Sequence, residues 1–243
     1  MKISKLQLSI LVVSLILIAD QLLKFWIKTN FSLGEEIVVF KNWFILHFVE
    51  NNGMAFGIEF AGKFGKLFLS IFRIIAIIAI GWYIVKISGK DEPRGFIVSM
   101  SLIFAGAIGN IIDSAFYGLI FDHSYGQVAS FLPSGGGYAG FLHGRVVDMF
   151  YFPLIVGNYP EWLPWVGGND FIFFRPVFNI ADSSITIGIF SILLFYRNHF
   201  SKQEDEHPQQ GSAEEANSSA DAWVSEIKED ENQSFTDGQD EKP

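Results

Sequence analysis

Four stretches of the chain, about 6–27, 64–86, 95–112 and 180–196, are apolar over a length that can cross a hydrocarbon core, which takes roughly 20 residues. In lipid every backbone N–H and C=O needs a partner within the protein, so such stretches are expected to be transmembrane helices. Composition agrees once it is divided. Of the 17 basic and 26 acidic residues, 3 and 13 lie in 201–243, leaving 14 and 13 in the first 200 residues, a net of +1. The acidic balance therefore belongs to the tail, while the body is too apolar for an ordinary soluble domain. No basic patch exists that could neutralise phosphates, which excludes a nucleic-acid partner. The absence of cysteine removes disulfides, thiolate catalysis and thiolate zinc sites.

The first stretch begins like a signal peptide, with Lys2 and Lys5 before a Leu/Ile/Val run, but it ends in Asp20 and Gln21 without a small-x-small cleavage site. It is read as a retained helix. With four spans, Lys2, Lys5, Lys86, Lys90, Arg94, Arg197 and Lys202 all fall on one side, which the positive-inside rule makes cytoplasmic. Both termini are then inside, and the two long connections, 29–63 and 114–178, lie outside.

Residues 37–48 are rich in β-branched and aromatic types and are expected to form strands. The glycine-rich run 134–141 reads as a mobile loop. Residues 150–176 carry Tyr159, Trp162, Trp165, Phe173 and Phe174, which suit either the membrane–water boundary or packing on the outer sheet. The expected architecture is an all-α membrane protein of four transmembrane helices, residues 1–200, with a small extracytoplasmic β-rich region. Residues 201–243 are expected to be a disordered cytoplasmic tail.

An ionisable group in a spanning helix is costly and is read as functional when a partner can be named. Asp20 and Lys24 lie one turn apart near the outer end of the first span. Asn110 and Asp113 end the third span, Asn179 and Asp182 begin the fourth, and Arg145-Val-Val-Asp148 puts a carboxylate in apolar sequence between them. A cap or a surface pair explains any one aspartate; it explains poorly three in apolar settings at one depth. Two carboxylates that share a site cannot both ionise easily, so one keeps its proton while the other acts as a base. A water between them can attack a peptide carbonyl. No serine elbow, zinc helix or Walker loop appears, and the five histidines are scattered. No metal or cofactor is expected. Arg73, inside the second span, reads first as a side chain reaching out to a headgroup, with a counter-charge for an aspartate as the alternative.

Five ordered motifs, Asp20-Gln-Leu-Leu-Lys24, Asn51-Asn-Gly-Met-Ala-Phe56, Gly109-Asn-Ile-Ile-Asp113, Gly144-Arg-Val-Val-Asp148 and Phe178-Asn-Ile-Ala-Asp182, resemble those of the lipoprotein signal peptidases, or signal peptidase II. The resemblance covers roughly residues 6–200. It implies a bacterial inner-membrane aspartic endopeptidase whose active site lies near the outer leaflet. Such an enzyme removes the signal peptide of diacylglyceryl-modified prolipoproteins, cutting before the lipidated cysteine, without a metal. The catalytic pair implied is Asp148 and Asp182. Asp20, Lys24, Asn51, Gly53, Asn110, Asp113, Arg145 and Asn179 are implied as supporting and substrate-binding positions. The expected partners are lipid-modified substrates and membrane lipids, and the chain is expected to act as a monomer. The family usually reads Asp-Arg where this chain has Asp113-Ser114, so Arg145 or Arg73 is expected to supply the charge. The loops after Asp113 and Asp148 exceed the compact family pattern. The rival reading, from the intramembrane charges alone, is a small proton-coupled transporter or channel.

Overall fold

The computed structural model describes residues 3–41, 43–52, 62–153, 155–165, 167–173 and 176–197. Gly53 and the acidic tail from residue 201 onward lie outside the described residues. The chain divides into two units, Met1–Ile192 and Leu193–Pro243, and the site lies wholly in the first.

Helix α1 spans Lys5–Asn30 and starts at a capping box: Gln7 N–H donates to Ser4 Oγ at 3.1 Å and Ser4 N–H to Gln7 Oε1 at 2.9 Å. Strands β1 (Glu36–Phe40) and β2 (Phe44–Asn51) follow as an antiparallel hairpin, where the β-branched and aromatic run predicts strands. Helix α2 spans Gly62–Ser88 and α3 spans Arg94–Ile112. A π-helical turn, Asp113–Tyr117, and a short helix α4, Gly118–Ile120, prolong α3. Strands β3 (Val146–Tyr151) and β6 (Val177–Phe178) complete a four-stranded antiparallel sheet in the order β1-β2-β3-β6. Strands β4 (Ile155–Asn158) and β5 (Asp170–Phe173) pair separately, and α5 covers Ile180–Phe195.

Among the described residues three helical runs, not four, have the length and hydropathy to cross a membrane: Lys5–Asn30, Gly65–Ser88 and Arg94–Ile120. Helix α5 is apolar but covers 16 described residues, Ile180–Phe195, with Asn179 capping its start. The third run is longer than expected from 95–112, since helical backbone continues eight residues into what reads as a connection.

Two further expectations change. The glycine-rich run is pinned rather than mobile: Tyr138 N–H donates to Phe121 O at 3.0 Å and Ala139 N–H to Gly118 O at 2.9 Å. Gly137 lies so close that a Cβ there would meet Gly118 O at 2.1 Å. The aromatic stretch 150–176 divides. Phe152 stacks on Phe44 at 4.9 Å and on Phe178 at 5.8 Å, as sheet packing predicts, whereas Trp162 and Trp165 stand 79% and 98% exposed between β4 and β5.

Ile27 of α1 and its C-cap Phe31 pack with Phe48, Val147 and Met149 of the sheet and with Tyr117, Phe121 and Ala129 beyond α3. Each such burial contributes about 1.5–3 kcal/mol for the larger side chains, which fixes the sheet over the end of α1. Helix α3 meets α5 through small residues: a Cβ on Gly106 would stand 2.2 Å from Ala181 O.

Candidate active site

The ends of α1, α3 and α5 and the strand β3 bring the apolar-flanked charges together. Lys24 is fully buried, and its Nζ lies 2.9 Å from Asp20 Oδ2 and 2.9 Å from Asp113 Oδ2. It also donates to Asn110 Oδ1 at 3.0 Å. One turn of α1 sets the Asp20–Lys24 spacing, and Gly109 allows α3 to approach, since a Cβ there would meet Asp20 Oδ2 at 2.7 Å. The remaining carboxylate lone pairs take donors from other elements. Asp20 Oδ1 accepts from Ala181 N–H at 3.0 Å, Asp113 Oδ2 from Val147 N–H at 3.2 Å, and Asp113 Oδ1 from Gln21 Nε2 at 3.0 Å. A buried charge persists only when paired and hydrogen-bonded in this way.

Asn110 donates from Nδ2 to Asp182 Oδ1 at 2.8 Å. Asn179 donates from Nδ2 to Asp148 Oδ1 at 2.7 Å and to Asn110 Oδ1 at 3.1 Å. Its own Oδ1 accepts from Asp182 N–H at 2.9 Å, which makes it the N-cap of α5. Asp148 and Asp182 are thus joined through two amides. Asp148 is buried on β3, opposite Val49, whereas Asp182 is half-buried in the first turn of α5. Burial, and after it the charge of Asp182, pushes the Asp148 carboxyl up to about 8, against the pull of hydrogen bonds from Asn51 and Asn179 and the charge of Lys24. The arrangement can hold one proton between two acids and leave the more open one to take another from water.

Arg145 does not face these acids. Its Nη1 donates to Glu50 Oε2 at 2.9 Å, and Lys28 pairs with the other oxygen of Glu50. Arg73, by contrast, is within electrostatic reach of Asp182, Asp148 and Asp113, which favours the counter-charge reading. Ser114 turns its hydroxyl back to Asn110 O at 3.0 Å.

Sequence reasoning missed the second buried charge group, Lys28–Glu50–Arg145. Ser124 Oγ accepts from Lys28 at 2.8 Å, and Lys28 Nζ sits 4.8 Å from the Tyr138 ring centroid. The available signal was that Lys28 repeats the four-residue step from Lys24, and that Glu50 directly precedes Asn51.

Fold and site define a membrane protein with carboxylates clustered at the ends of its apolar helices. A family model for signal peptidase (SPase) II matches residues 12–197. The lipoprotein signal peptidase of Porphyromonas gingivalis is 55% identical over 183 residues, covering 75% of this chain and 79% of that protein. The lipoprotein signal peptidase of Amoebophilus asiaticus is 38% identical over 184 residues, covering 74% and 73%. A solved bacterial membrane enzyme, determined by the in meso method, aligns with a TM-score of 0.51 at 29% identity over 78% of this chain and 93% of its own. The chain belongs to the signal peptidase II family.

Proposed function

We propose that Asp148 and Asp182 are the catalytic pair of an aspartic endopeptidase that removes the signal peptide from diacylglyceryl-modified prolipoproteins, cutting before the lipidated cysteine. Family membership carries the activity, and the amide link between the two carboxylates carries the choice of residues. Asp148 holds the proton. Asp182 takes a proton from water as the water oxygen attacks the scissile carbonyl, and Asp148 gives its proton to the carbonyl oxygen. On collapse, a hydroxyl of the diol returns a proton to Asp148, the C–N bond breaks, and Asp182 protonates the departing nitrogen. Arg73 offsets the excess negative charge where the family places an arginine after Asp113. The transporter reading is not favoured, because the relatives are peptidases.

The reading extends to topology. Lys5 Nζ donates to Lys90 O at 2.5 Å and Arg94 Nη2 to Ile3 O at 2.9 Å, so the start of α1 and the α2–α3 connection share one end. Their basic residues support a cytoplasmic location for that end and an outer-leaflet location for the acids. Helix α5, about 24 Å long at 1.5 Å per residue, crosses as the fourth span with local thinning of the bilayer. The purified full chain should cleave a diacylglyceryl-modified prolipoprotein and spare its unlipidated precursor. Equal cleavage of both would overturn the substrate assignment.

A further inference from the structure

Behind the acid cluster, on the opposite side of Gln21, α1 and the α3–α4 run leave an apolar groove of about 660 Å³. Its walls are Ile18, Leu22 and Phe25 on α1 and Ile112, Phe116 and Ile120 across from them. Gln21 and Tyr117 also line it, but their polar atoms are already used. Gln21 Nε2 donates to Asp20, Asp113 and Gly109 O at 3.0–3.2 Å, and Tyr117 Oη donates to Gln21 Oε1 at 3.3 Å. The groove therefore presents hydrocarbon alone, although its size lies within the roughly 300–1,000 Å³ usual for a ligand pocket.

Both walls belong to helical runs that meet the length and hydropathy of a membrane span, so the medium at the mouth of the groove is lipid. Phe25 of the groove wall meets Phe131, from the loop after α4, edge-on at 5.2 Å, and Phe131 lies 5.6 Å from Phe121. That loop continues the apolar surface outward through Phe131 and Leu132, and Leu132 holds a φ of 51° while remaining exposed. A leucine in the left-handed region is strained, and an exposed one gains no burial in water to offset the strain.

We propose that this groove binds one acyl chain of a bilayer phospholipid, seated between α1 and the α3–α4 run. The chain lies against Gln21 and Tyr117, which form the outer wall of the Asp20–Lys24–Asp113 group, and so keeps water from that wall. The inference is independent of the catalytic assignment.

The test uses the full chain in detergent, delipidated and then exposed to long-chain phosphatidylglycerol or to its dihexanoyl analogue. Binding is read by native mass spectrometry, and the melting temperature is followed in parallel. Ile18→Trp fills the groove, while Leu15→Trp adds the same ring at an equally exposed site outside it, the two positions being 57% and 59% exposed. The wild type and Leu15→Trp should each retain one long-chain lipid and melt higher with it, and Ile18→Trp should lose both effects. Leu22→Trp, on the same wall, should repeat the loss and serves if Ile18→Trp does not accumulate. No retained lipid on the wild type, equal retention by wild type and groove-filled variants, or equal binding of the dihexanoyl lipid would each overturn the proposal.

Discussion

Asn110 accepts a hydrogen bond from Asn179 at 3.1 Å, and this contact between α3 and the cap of α5 joins the two proposed catalytic acids. An amide suits the position because it both donates and accepts. Asn110 takes protons from Lys24 and Asn179 on its oxygen and gives one to Asp182 from its nitrogen. A carboxylate there would repel Asp182, and an aliphatic side chain would leave Lys24 short of an acceptor.

Asn179 should therefore show two separable effects. Asn179→Ala removes the cap of α5, worth about 0.5–2 kcal/mol, and removes the 2.7 Å donor to Asp148. Asn179→Asp restores the cap but sets a carboxylate against Asp148. Cleavage should be low in both variants whatever their melting temperatures; wild-type cleavage by the aspartate variant would count against the donor role.

Asp148→Asn and Asp182→Asn should each lower cleavage by at least about 10²–10⁴-fold, the usual scale of acid–base catalysis. Both should insert and accumulate normally, since amide and carboxylate are close in size. Near-wild-type turnover of a lipidated substrate by either variant removes that residue from the pair.

The raised Asp148 fixes the sign of two pH effects. As pH rises through about 8 the pair loses the proton it needs, so cleavage should fall on the alkaline side. Unfolded, the same carboxyl releases its proton near the ordinary 3.9. Below that value the folded state suffers no loss; between about 4 and 8 the unfolded chain gives up a proton that the folded one keeps, so stability declines as pH rises. Asp148→Asn should flatten this decline, and melting temperatures at pH 5 and pH 8 measure it. Parallel slopes for variant and wild type contradict the assignment.

Lys24 and Asp20 invert a simple expectation. Near a span end, the Lys24 amine reads as replaceable by water, which makes Lys24→Ala the milder change. It is fully buried between two carboxylates, however, so Lys24→Ala leaves both uncompensated, while Asp20→Ala leaves Lys24 with Asp113. Removing one partner of a buried pair costs about 3–5 kcal/mol. Thermal unfolding should rank Lys24→Ala below Asp20→Ala, and the reverse order argues that water reaches the site.

The second charge group predicts a similar asymmetry. Glu50→Ala strands the buried Lys28 and should destabilise strongly, whereas Arg145→Ala removes a partner that is 26% exposed in its side chain and should cost less. Comparable melting temperatures for the two variants disprove the asymmetry.

The acids were legible because their spacing is local and their setting is chemically wrong for them. Asp20 and Lys24 repeat at one helical turn, and Asn110, Asp113, Asn179 and Asp182 stand where apolar runs begin or end. Depth in the bilayer then places them together without any knowledge of the packing. Lys28 and Glu50 gave only the weaker signal of a second lysine one turn after Lys24, since β2 brings Glu50 to Lys28 across the fold. The π-helical turn after Ile112 was hidden because a shift of one hydrogen bond leaves no mark in composition. The glycine-rich run misled for a related reason. Glycine permits mobility, but at Gly137 it permits backbone to touch backbone, and only the fold decides between the two.

Asp20 accepts the N–H of Ala181, a contact that spans 161 residues of chain. During biosynthesis α1 must therefore wait for α5 before the acids can assemble, and Asp182 arrives on that same helix. A nascent or stalled chain holds most of the supporting residues but no completed pair. With Asp148 and Asp182 as the proposed pair, cleavage waits until α5 has joined α1.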